Sequence, residues 1–501
     1  MVKNEAFDFG HIAFALLLLF IMQVNGQKYP INARTEADSV LHVDFSFPEN
    51  WKNNTSREIL LPVKIYRTRN ETPSSPILWL SGGPGQTNLD YVPPPQLLKN
   101  HDVILIGYRG VDGSISLNCP EVSTAFKGKG DHLLAQKSVD NIKNAAKNCA
   151  DRLLNEGIDL NGYTIEQVLF DIDSVRSFFQ IDRLNLLSGS YGTRVAQSYA
   201  KYHPGKVNRS VMIGANARGR FVWEPGIIEE KIDDYNDLCQ KHPYCSSKTK
   251  NLKKTFDNVL KELPESWLFV PIDRGKVAVV AFGLLYNKKT ALQVIDSFLA
   301  AEQGDYSGIA LMSMAYDYVL PKMMVWGDFF SKGMIDYDPA RNYRREFTSS
   351  PFVLGSPMSA LFMDVGEIWP VKQPPSNFSE MDTTNVETLF LNGALDFSTP
   401  HEIVQNELLP FFKNGELVVF EGAGHVSDLL YKKEVITGME RYFLTGKAQF
   451  RQFSNRISFE IKNGFPKIAK ISVGVLTIVV LLLAFLLYRF IVGRIVKDRR
   501  K

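Results

Sequence analysis

The chain has 501 residues, of which 45% are hydrophobic, 22% charged and 12% aromatic, with four cysteines and a formal net charge of +3. That length exceeds a comfortable single core and predicts one large domain with an insertion, or two domains. The composition excludes a collagen-like, mucin-like or globally disordered protein.

Residues 12–22 are uninterruptedly apolar and are followed by Val24, Asn25 and Gly26, with small residues at the first and third of those positions. This predicts a signal peptide over 1–26, cleaved before Gln27. Lys3 is offset by Glu5 and Asp8, so the alternative is an uncleaved N-terminal anchor, for which the run is short. Two alternating apolar runs, 40–47 and 59–66, predict an antiparallel opening pair. Continuous apolar runs at 77–80, 103–106, 184–187 and 211–213 then lead into glycine-rich turns, as strands buried on both faces of a parallel sheet do. Helical periodicity fills 139–154, 165–179 and 191–202. The next stretch is helix-like, aromatic and methionine-containing, and strand runs return at 388–391 and 417–420. The predicted fold is α/β: a mostly parallel sheet in two parts, 27–215 and 381–450, interrupted by a mainly helical cap over 216–380.

Residues 471–488 carry no charge, and apolar character resumes after Arg489 as far as Val492. This predicts a transmembrane helix over 471–492, preceded by a juxtamembrane stalk over 451–470 and followed by a basic tail over 493–501. Arg489, Arg494, Lys497, Arg499, Arg500 and Lys501 face only Asp498, so the positive-inside rule puts that end in the cytoplasm. The final basic cluster is simpler as a stop-transfer signal than as a sorting signal. The two segments together predict a single-pass type I membrane protein with its bulk lumenal or extracellular. Most of the positive charge belongs to the tail, and the near-neutral remainder has no basic stripe with interleaved aromatics, so nucleic acid is not an expected partner.

Cys119, Cys149, Cys239 and Cys245 all lie in the exported part, and none has a CxxC or CxxH spacing. Disulfides are expected rather than a metal site. Of three pairings, Cys119 with Cys149 and Cys239 with Cys245 is preferred, because each closes a loop within one local unit. Asn53, Asn54, Asn70, Asn208 and Asn377 lie in glycosylation sequons.

The chemistry clusters at the carboxyl ends of the strand runs. In Leu186-Leu187-Ser188-Gly189-Ser190-Tyr191-Gly192-Thr193 a buried run meets a small-residue turn and then a helix. A nucleophile elbow needs that arrangement, with Ser190 as nucleophile and Ser188 where GxSxG has its first glycine. In such sheets the acid and then the base follow on later loops. Asp396 ends the run Leu389-Phe390-Leu391-Asn392-Gly393-Ala394-Leu395, and His425 follows 417–420 through Glu421-Gly422-Ala423-Gly424. His401, at the expected start of a helix, reads as a surface residue. Ser81-Gly82-Gly83-Pro84-Gly85 follows the 77–80 run, and lacking a Lys-Ser/Thr ending it is no phosphate-binding loop. The amides of Gly83 and Tyr191 are the expected oxyanion donors.

Ser81–Gly85, Tyr108-Arg109-Gly110-Val111-Asp112-Gly113-Ser114, the region from Asp171 to Ala215 with its Ser-Gly-Ser-Tyr-Gly-Thr, and the segments 392–400 and 422–425 together resemble the prolyl iminopeptidase and tripeptidyl aminopeptidase family of α/β-hydrolases. The resemblance covers most of 75–215 and 385–430. It implies a serine exopeptidase acting on peptide N-termini beneath a helical cap, with no cofactor and no metal. Three departures stand out: Ser81 and Ser188 replace the family's histidine and glycine, and the second glycine of the RG loop is displaced to Gly113. A membrane anchor is also not a general feature of that family. A free α-ammonium needs carboxylates, and Glu224, Glu229, Glu230, Asp364 and Glu367 are the cap's candidates, although for any one of them a solvated helix charge is the simpler reading, and none is assigned to the site. Met312, Met314, Tyr316, Met323, Met324 and Trp326 line either a pocket or the cap's own core. The expected function is a membrane-anchored serine aminopeptidase acting on peptide substrates. The alternatives are an esterase or lipase on the same scaffold, or a non-catalytic binding ectodomain.

Overall fold

The computed structural model describes residues 33–36, 40–128, 132–348, 351–372, 378, 380–450 and 456–498. The expected signal peptide, the Asn377 sequon and the last three residues of the tail lie outside the described residues.

Among the described residues, nine strands form one sheet: β1 (Ala33–Glu36), β2 (Val40–Pro48), β3 (Glu58–Tyr66), β4 (Ser74–Leu80), β5 (His101–Ile106), β6 (Leu184–Gly189), β7 (Val207–Ile213), β10 (Glu387–Gly393) and β11 (Gly415–Phe420). A separate hairpin is made by β8 (Ser266–Trp267) and β9 (Val270–Pro271). The order in the sheet is β1-β2-β3-β5-β4-β6-β7-β10-β11. The first pairings, through β3 with β5, are antiparallel, and every pairing from β5 to β11 is parallel. The parallel strands end in step: Leu80 stands opposite Ser188, Gly189 opposite Ile213, Ile213 opposite Leu391, and Gly393 opposite Phe420. The loops after β4, β6, β7, β10 and β11 are therefore neighbours along one edge, where open α/β sheets carry their sites.

The helices of eight residues or more are α1 (Gln136–Asn155), α2 (Ile165–Phe178), α3 (Gly192–Tyr202), α4 (Pro225–Gln240), α5 (Leu252–Lys261), α6 (Arg274–Leu284), α7 (Lys288–Ala301), α8 (Ser307–Val319), α9 (Trp326–Gly333), α10 (Lys433–Thr445) and α11 (Phe465–Asp498). Side chains of β4 alternate between two cores. Leu78 and Leu80 pack with α2 and α3, while Ile77 and Trp79 pack with α10 on the other face. This explains the continuous apolar runs, since both faces are covered.

A third core belongs to the cap, and it extends beyond the expected insertion. Val139, Ile142, Cys149 and Leu153 of α1 share it with Trp326, Phe329 and Phe362. Met312, Tyr316 and Trp326 are buried in this core, which settles their role as cap packing, whereas Met314 and Met323 are exposed. Disulfides join Cys119 to Cys149 and Cys239 to Cys245, with Cα separations of 5.4 and 5.1 Å. Asn53 and Asn54 are exposed in a loop, whereas the side-chain amide of Asn208, on β7, donates to Asn185 Oδ1 on β6.

The expected stalk is corrected over its described part. Phe459 is buried against the cap, Ile457 and Phe465 pack on the same core, and a continuous helix already starts at Phe465. A few apolar residues in a polar stretch are enough to fasten it.

Candidate active site

Ser190 sits between β6 and α3 with φ of +51°, a left-handed conformation that costs a non-glycine residue about 1–2 kcal/mol. Flanking hydrogen bonds hold it there. Its N–H donates to Ile213 O (3.0 Å), and its carbonyl accepts from Thr193 N (2.9 Å) and Thr193 Oγ1 (2.6 Å). The turn tolerates little bulk. A Cβ on Gly192 would lie 2.2 Å from Leu80 O, and one on Gly82 would lie 2.8 Å from Ser190 Cβ. The serine at 188 is accommodated because its Oγ turns to Val211 O, 3.3 Å away in β7.

The loops after β10 and β11 bring Asp396 and His425 into contact, with Nδ1 2.7 Å from Oδ2, and both side chains are buried. Asp396 is fully supported. Its Oδ1 accepts from the backbone N–H groups of Ser398 (2.9 Å) and Thr399 (3.1 Å), and its Oδ2 accepts from Thr399 Oγ1 (2.7 Å). A carboxylate accepting from Nδ1–H fixes the tautomer that leaves Nε2 able to accept a proton. A Cβ on Gly214, at the end of β7, would lie 2.8 Å from Thr399 Oγ1 and 3.1 Å from His425 Cε1. Ser190 and His425 thus both border the β7 terminus, one through Ile213 O and the other at Gly214.

The cap also holds His425. The histidine N–H donates to Tyr286 O (2.7 Å), and the Tyr286 ring meets the imidazole edge-on at 5.2 Å. Asp428 Oδ2 accepts from Gly424 N and Lys288 N, both at 2.8 Å, joining the histidine loop to the start of α7. Trp223 Nε1 donates to Ser398 Oγ (3.0 Å), and its ring packs against Phe282, Tyr286 and Phe362 as an apolar wall.

Gly83 lies in the loop after β4 with φ of +57°, and Tyr191 caps α3 at its N-terminus, where backbone N–H groups are free of helical partners. The Ser81 N–H donates to Asn88 Oδ1, and Asn88 Nδ2 donates to the carbonyls of Trp79 and Ile106. Asp112 of the RG loop accepts from Thr87 Oγ1, Asn88 N and Tyr108 N. Arg109 is fully buried, paired in a bidentate fashion with Asp171. From the cap, α9 clamps the same loop. Val325 N donates to Gly85 O (2.8 Å), while Asp328 Oδ2 accepts from Gly85 N (2.9 Å). Asp328 Oδ1 pairs with Lys332 Nζ, which also donates to Arg109 O (2.9 Å). Burial pushes the Asp328 carboxyl up and the Lys332 ammonium down, each opposed by the other's charge.

The cap carboxylates do not converge on one point. Glu224 pairs with Arg341, and Glu229 Oε1 accepts from the amides of Val353 and Leu354. Glu367 pairs with Lys143, and Glu230 is exposed. Burial, then the neighbouring Glu367 charge, pushes the Asp364 carboxyl up. His401 starts a short helix and is partly buried beside Glu402. Sequence reasoning missed Thr399, Tyr286, Asp328 and Lys332. Only Thr399 left a local signal, three residues after an Asp in Asp396-Phe397-Ser398-Thr399-Pro400.

The fold is that of the α/β-hydrolases. Residues 75–232 match the family described as alpha/beta hydrolase fold, and residues 350–452 match the TAP-like protein family. Among curated proteins, the chain is similar to serine protease Hip1 of Mycobacterium tuberculosis (strain ATCC 25618 / H37Rv) and of Mycobacterium bovis. Each is 26% identical over 151 residues, covering 27% of this chain and 28% of the protease. The chain therefore spans little more than a quarter of the length of the curated relatives it matches. Among solved structures it is similar to a serine hydrolase from Cycloclasticus zankles, at 13% identity and a TM-score of 0.37, with 83% of this chain and 98% of that one covered. It is likewise similar to a meta-cleavage product hydrolase from Pseudomonas fluorescens IP01, at 12% identity and a TM-score of 0.37, with 78% and 96% covered.

Proposed function

We propose that the chain is a membrane-anchored serine aminopeptidase. The observation that carries the reading is the supported Asp396–His425 pair (2.7 Å) beside the strained Ser190 turn. Ser190 Oγ attacks the scissile carbonyl carbon while His425 Nε2 takes its proton. The imidazolium returns that proton to the departing amine, leaving an acyl-enzyme on Ser190. Water, deprotonated by the same imidazole, then attacks the ester and regenerates Ser190. Asp396 holds the tautomer and stabilises the imidazolium without taking the proton. The amides of Gly83 and Tyr191 stabilise the tetrahedral oxyanion.

Peptides are favoured over esters as substrates by the TAP-like match and by the similarity to a protein named a serine protease. The apolar segment Phe465–Val492, with a mean hydropathy of 2.8, supports a membrane span. The two disulfides support an oxidising compartment for the catalytic part, with the basic tail in the cytoplasm.

The test uses the purified full chain with tripeptidyl anilides, the same peptides N-acetylated, and aryl esters. The expected result is cleavage of the free peptides and loss of turnover on blocking the amine. Equal cleavage of blocked and free peptides would contradict an aminopeptidase. Ester turnover without amide turnover would make the chain an esterase, and activity surviving in Ser190→Ala would remove the mechanism.

A further inference from the structure

The first turns of α11 are fastened to the cap rather than hanging below it. Phe465 N donates to Gln293 Oε1 (3.0 Å), Ser307 Oγ donates to Pro466 O (3.2 Å), and Lys470 Nζ pairs with Asp305 Oδ2 at 2.6 Å. Gly308 has no Cβ to obstruct Pro466, whose Cδ would lie 3.0 Å from one, and Ala469 is buried at the contact. Immediately beyond, Ile471 and the apolar residues that follow are exposed, apart from half-buried Val473. A span that begins one residue past a cap contact brings the cap to the membrane surface, because no free linker separates them.

Some of the most exposed apolar side chains are carried by α8, the helix that holds the start of α11, and by a hairpin tied to it. Outside α11, Tyr318 (74%), Phe269 (67%) and Leu268 (63%) are, with Val92, the most exposed large apolar residues among those described. Tyr318 lies on α8 with exposed Met314 and Val319. Leu268 and Phe269 form the tip of the β8–β9 hairpin, which is tied to the middle of α8. There, Asp273 N donates to Ser313 Oγ (3.0 Å) and Ser313 Oγ donates to Pro271 O (3.2 Å). Leu268 holds φ of +54°, a turn conformation suited to glycine, yet this turn presents leucine and phenylalanine to solvent. A helix of this length spans roughly 20 Å, so Tyr318 lies within that distance of the Ser307 contact with α11.

We propose that this face, α8 and the 268–269 hairpin tip, rests in the lipid headgroup layer. On this view the hydrolase lies against the bilayer by its cap, with Leu268 and Phe269 reaching the acyl boundary and Tyr318 at headgroup level. The proposal rests on the reading of α11 as a membrane span. Exposed Lys322, just after α8, and Lys467, in the first turn of α11, suit anionic headgroups.

The test places a nitroxide on single cysteines in the full chain, reconstituted in phosphatidylcholine vesicles containing phosphatidylserine. The variants are Phe269→Cys, Tyr318→Cys, Val480→Cys within α11, and Tyr202→Cys on α3, all at exposed positions. The proposal expects oxygen collisions to dominate over a water-soluble nickel chelate at 269 and 318, as at 480, with the reverse at 202. Nickel access at 269 and 318 equal to that at 202, with 480 in lipid, overturns the proposal and leaves the anchor standing. Nickel access at 480 overturns the anchor and the proposal with it.

Discussion

Asp328→Ala is the perturbation that most sharply probes how the cap and the loop after β4 are joined. The aspartate and Lys332 are both fully buried. Removing the carboxylate leaves the Lys332 ammonium with the Arg109 carbonyl and the face of the Tyr108 ring, and leaves the Gly85 N–H without its acceptor. Breaking a buried pair from one side costs about 3–5 kcal/mol. That is a large share of a total stability of roughly 5–15 kcal/mol. Lys332→Met should cost a similar amount from the other side. In the double variant Asp328→Ala with Lys332→Met neither charge of this pair is left without the other, and its loss should fall short of the summed single losses by several kcal/mol. The assay is urea unfolding of the detergent-solubilised chain followed by tryptophan fluorescence, with Trp326 and Trp369 reporting from the cap core. Single losses below about 1 kcal/mol, the worth of an exposed pair, or strictly additive losses, would refute the clamp.

Three other predictions concern the site and its scaffold. Asp396→Asn should leave the fold intact but lower kcat about 10⁴-fold, read with a tripeptidyl anilide, because the imidazole loses its orienting carboxylate. Ser188→Gly should stay active and lose no more than about 1 kcal/mol of stability, whereas Gly192→Ala should abolish activity, since its Cβ would meet Leu80 O at 2.2 Å. Turnover and circular dichroism of the two variants separate these outcomes. Burial, opposed by the Ser75 carbonyl, holds the His101 imidazole below its ordinary value. The unfolded chain then binds the extra proton first, so this contribution to stability is complete above about pH 6.5 and is lost as pH falls toward the lowered folded value. Unfolding of His101→Gln should depend less steeply on pH across that window, and an identical slope would contradict the assignment.

What could be read from sequence was local. The strand runs at 77–80, 184–187 and 388–391 lie within observed strands because burial on both faces leaves an unbroken apolar signature. Ser190 was readable for a similar reason, since an elbow needs small residues at fixed neighbouring positions. Asp396 and His425 were readable because each closes a strand run in the chain order that this sheet imposes. The apolar face of α1 gave no sign of its partner, and that helix packs into the cap. Tyr286, Asp328 and Lys332 act through backbone groups far away in the chain, and such contacts leave no periodicity. The β8–β9 hairpin, only two residues per strand, is too short to alternate visibly. The segment expected to be a stalk is mostly polar, and the few apolar residues that fasten it carried no pattern.

The central claim is that Ser190 is the nucleophile activated by the His425–Asp396 pair. The direct measurement treats the folded full chain with a fluorophosphonate, which forms a phosphorus–oxygen bond to an activated serine as fluoride departs, and maps the adduct by peptide mass spectrometry. A single adduct on Ser190, lost in His425→Ala and slowed in Asp396→Asn, is the predicted result. An adduct on another residue, or undiminished labelling of Ser190 in His425→Ala, would contradict the account.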